Sequence, residues 1–251
     1  MSQLNINVLA PLGYTGPNLT GDNNDVQIID EFGNNVFKSP GSGNICVGTT
    51  SGYNLSSGAG NTLLGNSSGY EITIGSSNTC LGNGAGGTIT GGPGNTFIGA
   101  NAGNASSSYA PFIGGNNICI GSGSFASTSA VFNEITLGNS AITTLRCAVT
   151  SITSLSDERD KTNIKESDYG IEFVNSLKPV KFEWDTRDGA KKGIKDLGFI
   201  AQDLKELDDE HLNLVYDENP EKLEASYGRL IPVLVKAIQD LSKEIETLKN
   251  K

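Results

Sequence analysis

The chain has 251 residues, 28 acidic and 18 basic, with a formal net charge of −10, a length that suits one large domain or two ordinary ones. It carries no basic stripe, so nucleic acid is not an expected partner, and no run of roughly 20 apolar residues that would span a membrane. Its four cysteines lack metal-ligand spacing and its one histidine, His211, has no cysteine nearby, so neither a metal nor a zinc site is expected.

Charge and glycine divide the chain in two. Residues 1–155 hold six acidic and two basic residues, residues 156–251 hold 22 and 16, and 27 of the 32 glycines lie before the break. Two kinds of polypeptide meet at Ser156. The opening stretch, MSQLNINVLAPLG, has no basic region ahead of a long apolar one, so no secretory signal is expected. A product acting outside the cell would leave by lysis or inside a particle.

Residues 1–40 show no repeat. Val26–Ile29 and Asn35–Phe37 predict short strands, with Gly33-Asn34 between them as a turn. Two readings stay open: an irregular leader to the next domain, or an attachment segment that plugs into a larger assembly.

From residue 44 a template recurs at Asn44–Gly48, Asn61–Gly65, Asn78–Gly82, Asn95–Gly99, Asn117–Gly121 and Glu134–Gly138, its glycines 17, 17, 17, 22 and 17 residues apart. A second glycine follows at Gly52, Gly69, Gly86 and Gly103, and a second apolar patch sits midway at Leu55, Ile72–Ile74 and Ile89. Each repeat therefore reads as two short strands and two glycine-bearing turns. A fixed period of this length means a solenoid, here a β one or β-roll, since so many glycines argue against helices. Strands stacked about 4.8 Å apart make six turns roughly 30 Å long. The repeats span residues 41–155 together with Ile142–Leu145 and Val149–Leu155, an extended end of the rod.

The residue before each glycine is aliphatic: Val47, Leu64, Leu81, Ile98, Ile120 or Leu137. The one before that is Cys46, Leu63, Cys80, Phe97, Cys119 or Thr136, and it points to the opposite face. A strand apolar on both faces needs cover on both. A narrow coil covers only its inside, so an oligomer is expected. Cys46 and Cys80, two turns or about 9–10 Å apart, are too far for an intrachain disulfide. Buried free thiols and interchain bridges both remain open. The missing regular aspartate excludes a calcium-binding nonapeptide repeat, and Leu64, Leu81 and Ile98 beside Thr62, Thr79 and Thr96 argue against an ice-binding ladder.

After Ser156, Asp168 is placed to cap a short helix through Ile171, Val174 and Leu177 that stops at Pro179. Val180, Phe182 and Trp184 alternate as in a strand, and Leu212–Tyr216 reads as another. Between them a helix is expected over Ala201–Leu207, with Ile200, Leu204 and Leu207 at helical spacing. A long terminal helix follows, in which Ile231, Leu234, Ile238, Leu241, Ile245 and Leu248 step by threes and fours, an a/d coiled-coil seam. Packing of that helix on its own domain is the alternative.

The repeats resemble those of trimeric viral fibres, and their Asn-led, glycine-ended element is similar to the head repeats of trimeric autotransporter adhesins. Ser156-Asp157-x-Arg159-x-Lys161, then Leu197–Gln202, then the terminal seam, resemble in order the C-terminal intramolecular chaperone domain of phage tail fibres and endosialidase tailspikes. That resemblance implies a homotrimeric fibre whose chaperone, residues 156–251, promotes trimerisation and then cuts the chain just before the serine. It makes Ser156 the nucleophile, Lys161 the general base and Leu155–Ser156 the bond cut, with no metal or organic cofactor. It also implies a virion location after synthesis in a host cytoplasm, with other phage tail proteins and a host cell-surface receptor as partners. The fold implied is a mainly β solenoid, intertwined in a trimer, followed by an α+β domain that ends in a coiled-coil helix. Ile at a with Leu at d alone favours two strands, but the seam is short and the rod can dominate the threefold order.

The chemistry is self-consistent. A serine hydroxyl needs an adjacent base, and a lysine serves only when neutral, which takes its pKa down from about 10.4 by two or three units through burial or neighbouring positive charge. That costs about 3–4 kcal/mol at about 1.36 kcal/mol per unit, which a folded site must supply, with Arg159 as a possible source of positive charge. Five residues on a helix are about 140° apart, and on a strand about 17 Å. The segment must bend, with Asp157 a candidate to cap or orient it, or Lys161 must come from a neighbouring chain. Two rivals stand beside this reading. One is a trimeric structural adhesin whose last domain never cuts. The other is a glycan-cleaving tailspike, which needs paired carboxylates, whereas residues 41–155 hold only Glu71 and Glu134, nearly four turns apart.

Overall fold

A computed structural model of the chain describes the strands at 18–20, 26–29 and 35–39 and residues 43–104, 111–149 and 152–251. It falls into two compact units, Met1–Asn139 and Ser140–Lys251. Contacts thus group residues 140–155 with the second unit, whereas the composition changes only at Ser156.

The first unit is a nine-stranded sheet in chain order. Strands β1 (Asn18–Thr20), β2 (Val26–Ile29) and β3 (Asn35–Ser39) form an antiparallel meander, and β3 pairs antiparallel with β4 (Ile45–Val47). The two strands expected before residue 40 are present. From β4 the pairing turns parallel through β5 (Thr62–Leu64), β6 (Thr79–Leu81), β7 (Thr96–Ile98), β8 (Ile118–Ile120) and β9 (Ile135–Leu137). The register runs Cys46, Leu63, Cys80, Phe97, Cys119, Thr136, as the glycine spacing predicts. It holds across the 22-residue step, whose residues 105–110 lie outside those described.

Cys46, Leu63, Cys80, Phe97 and Cys119 point inward and are buried, joined by Ile72, Ile89, Ala85, Ala102 and Phe112. The aliphatic residues before the glycines face outward: Leu64 and Leu81 keep 41 % of their surface exposed and Ile120 keeps 42 %. The second face of the strand is therefore left uncovered by its own chain. Gly82 shows why glycine ends each strand. Its φ is +139°, and a Cβ there would lie 2.5 Å from the carbonyl oxygen of Gly99 one turn on.

The midway patch does not form a second strand. Ile72 and Ile89 do enter the core. However, the N–H groups of Thr73, Ile74 and Gly75 all converge on the one carbonyl of Thr90, a turn geometry that a ladder of evenly spaced bonds does not have. Outside the named strands, the described residues pair only at Ile89 and Phe112.

What the hydrophobic pattern hid is a polar spine. Asn44, Asn61, Asn78, Asn95 and Asn117 are all buried. The Asn61 side chain accepts from the backbone N–H of Asn78 at 3.0 Å and from the Asn78 amide at 3.1 Å, and donates to Asn44 and to the Gly75 carbonyl, both at 2.9 Å. The pattern repeats at Asn78, Asn95 and Asn117 and ends on the backbone N–H of Glu134. Each turn thus satisfies the backbone groups of its neighbours, which a buried polar side chain must do to be tolerated.

In the second unit, α1 (Ile171–Ser176) packs against α3 (Leu230–Lys249), and β10 (Val180–Asp185) pairs antiparallel with β11 (Lys192–Gly198). A short α2 (Ala201–Lys205) and the pair β12 (Val215–Tyr216) and β13 (Glu224–Ala225) complete it. The core joins Leu204, Leu212, Leu214, Leu230 and Val233. Asp168 does not cap α1: the helix starts at Ile171, so the cap position falls on Gly170, which has no side chain to offer, while the Gly170 N–H bonds the Asp168 carbonyl. Helix α2 stops two residues short of Leu207, and only the end of Leu212–Tyr216 is strand, since Leu212 and Leu214 turn into the core.

Helix α3 has two apolar stripes. Leu230, Val233 and Ala237 are buried. On the neighbouring stripe Ile231, Leu234, Ile238, Leu241, Ile245 and Leu248 are all exposed. Own-domain packing is therefore present on one face, and the stripe expected to form an a/d seam lies open on another.

Candidate functional site

The site is built from one short turn. Asp157 sits at φ −67°, ψ 135° and caps a single 3-10 turn over Glu158–Asp160. Its Oδ1 accepts from the backbone N–H of Arg159 at 2.9 Å, and its carboxylate grips the Arg159 guanidinium in a fork, Nε at 2.9 Å and Nη2 at 2.6 Å. The turn closes with the Lys161 N–H on the Glu158 carbonyl at 3.0 Å, and Lys161 leaves in extended conformation.

That bend returns the lysine to the serine. The Lys161 Nζ donates to Ser156 Oγ at 2.6 Å and to the Ser156 carbonyl at 3.2 Å. Of the two routes open to residues five apart, the single chain takes the bend. The second contact, to the serine's own carbonyl, had no sequence signal because it is a backbone group.

The electrostatics assign Arg159 a different place from the one expected. Its guanidinium is spent on Asp157, whose carboxyl it holds below the usual carboxylate range, while the same bond raises the arginine. The positive charge is paired with Asp157 and does not act as a free charge on Lys161. Ser156, Asp157, Arg159 and Lys161 are all exposed, and the Leu155 side chain is 97 % exposed. In a single chain the Ser156 hydroxyl and the Lys161 amine are in contact, and both are open to water, as is Leu155.

The other places sequence reasoning pointed to behave otherwise. Glu71 accepts from Asn54, and Glu134 accepts from the Ser127 N–H and the Thr136 hydroxyl, so each carboxylate is used within its own part of the solenoid. An open cleft of about 780 Å³ in the second unit includes Phe182, Trp184, Asp188, Lys191 and Tyr227, with Lys191 5.3 Å from the Trp184 ring centre. No group of three or more His, Cys, Asp or Glu among the described residues is placed to hold a metal. No helix among the described residues is long and apolar enough to cross a membrane. Among the described residues no disulfide joins the cysteines within the chain; Cys46, Cys80 and Cys119 are buried and Cys147 is exposed.

Compared with family models, residues 156–213 match a peptidase family described as the chaperone of endosialidase. The matched stretch opens on Ser156, contains Lys161 and ends before α3. The chain finds no match among curated proteins or among solved structures.

Proposed function

Starting from an endosialidase-type chaperone domain that follows a β-solenoid, we propose that this chain is a phage tail-fibre or tailspike component. Its last domain drives assembly of a homotrimer and then cuts the Leu155–Ser156 bond. The observation that carries the cutting step is the 2.6 Å contact of Lys161 Nζ with Ser156 Oγ, within the stretch similar to a peptidase family. Two open apolar surfaces support assembly. The α3 stripe from Ile231 to Leu248 and the outward-facing Leu64, Leu81, Ile120 and Leu137 are all exposed in a single chain. A second and third copy would remove them from water at about 25 cal/mol per Å².

The chemistry runs as an acyl shift followed by hydrolysis. Neutral Lys161 takes the Ser156 hydroxyl proton as Oγ adds to the Leu155 carbonyl carbon. The tetrahedral adduct collapses, the Leu155 C–Ser156 N bond breaks, and the lysine returns the proton to the departing amine. An ester now joins the Leu155 acyl group to Ser156 Oγ. Water, deprotonated by the same lysine, hydrolyses it to a Leu155 carboxylate and a free serine hydroxyl. Trimer contacts supply what the single chain lacks, exclusion of water from the ammonium, and this makes cutting follow assembly.

Residues 1–155 are then the lasting part of the fibre. Residues 1–40 join it to other tail proteins, and the rod carries contact with a host cell-surface receptor. The test is intact mass after folding. Wild type is expected as two fragments, while Ser156→Ala and Lys161→Ala remain near 26.3 kDa. A wild-type trimer that stays full length would mean the other reading, a structural adhesin with a non-cutting trimerisation domain.

A further inference from the structure

We infer that Asp157 and Arg159 are a positioning pair for the cutting reaction, a latch that holds the turn returning Lys161 to Ser156. This rests on the proposed cleavage and adds to it a mechanical role for the two residues between nucleophile and base. One carboxylate takes three hydrogen bonds from Arg159, one from its backbone and two from its side chain. The backbone bond fixes the cap of the 3-10 turn, and the guanidinium fork fixes the carboxylate that makes the cap. Neither side chain reaches the reacting atoms, so the pair acts through geometry alone.

The need for a latch follows from spacing. Residues five apart do not meet on a helix or a strand. With a flexible segment, the 2.6 Å approach of Nζ to Oγ would be one arrangement among many. An exposed ion pair contributes little to global stability. Its value here is that it selects one local conformation before water is excluded.

The test is a time course of cleavage during folding, with assembly followed in the same samples by sedimentation. Asp157→Ala and Arg159→Ala are expected to assemble as wild type does and to cut about a hundredfold more slowly, the scale on which a shift of about 1 Å is felt. Their double variant is expected to be no slower than either alone, because both remove one latch. Asp157→Asn keeps the acceptor for the Arg159 N–H and is expected to recover most of the rate. The pH profile of cleavage is expected to keep its midpoint, since the latch holds the base in place without tuning it. Wild-type rates in Asp157→Ala overturn the inference and leave the Ser156–Lys161 proposal intact. If wild type stays uncut, the cutting proposal falls, and a crystal structure of Asp157→Ala decides the latch separately. Lys161 still bonded to Ser156 in that variant overturns it.

Discussion

In the solenoid, Asn61, Asn78 and Asn95 lie fully buried, and each finds partners on the turns on either side of it. In the C-terminal unit, Ser156, Lys161 and six apolar residues of α3 all lie at the surface. The first region closes its polar accounts within one chain and leaves only an apolar outer row open. The second keeps its reactive pair and its seam outside, where only another copy can cover them. That difference is what the proposed roles, a lasting rod and a removable assembler, rest on.

The sharpest way to break the comparison is to damage the spine. Asn78→Ala removes the acceptor for the Asn95 N–H and side-chain amide and the donor to the Gly92 carbonyl. With the Asn61 side-chain oxygen, which loses the Asn78 amide, four buried groups lose a partner, so a loss on the order of 5 kcal/mol is expected in thermal or denaturant unfolding of the rod. Asn66→Ala, exposed on the preceding turn, is the control and is expected to change little.

A smaller effect is expected at the seam. Leu241→Asp leaves the buried stripe of Leu230, Val233 and Ala237 untouched, so each chain is expected to keep its fold. The trimer loses about 2 kcal/mol per chain of apolar burial and gains a buried charge. Sedimentation is expected to show monomers, and cleavage is expected to fail with assembly. A trimer that persists would place threefold contact in the rod alone.

The mildest test uses the thiols. Burial pushes the Cys80 thiol up to about 12, and burial with the charge of Glu134 pushes Cys119 up to about 11. Because the folded values lie above the ordinary thiol range, the neutral thiols' contribution to stability is complete below that range and fades as pH rises toward these values. At pH 8 an alkylating agent is expected to label Cys147 in the native chain, and Cys46, Cys80 and Cys119 only after unfolding. Labelling of Cys80 in the folded rod would contradict its inward placement.

Much of the rod was legible because glycine spacing is a ruler: Gly48, Gly65, Gly82, Gly99, Gly121 and Gly138 set the register of six strands. The asparagine spine was not read for what it is, although Asn44, Asn61, Asn78 and Asn95 open the template. Hydropathy assigns asparagine to the surface, and only the stacked turns show its partners. The second strand per repeat was misread because Ile72 and Ile89 carry the right apolar signal, while the bonds of a turn carry none. At the site, the resemblance carried by the stretch from Ser156 to Lys161 pointed to a nucleophile and a base, and the fold brings the two side chains into contact. The spacing showed that a bend or a neighbour was needed, and the choice between them lies in the Asp157 cap. Arg159 was read as free charge because a sequence does not show which way a guanidinium points.

The most direct measurement is the N-terminal sequence of the smaller fragment from a folded wild-type preparation, beside the Ser156→Ala chain. Wild type is expected to yield a fragment that begins at Ser156 and ends at Lys251, with Leu155 as the last residue of its partner and no fragment from Ser156→Ala. A trimer with no new N-terminus, or one that begins at another residue, would contradict a self-cutting Ser156–Lys161 pair.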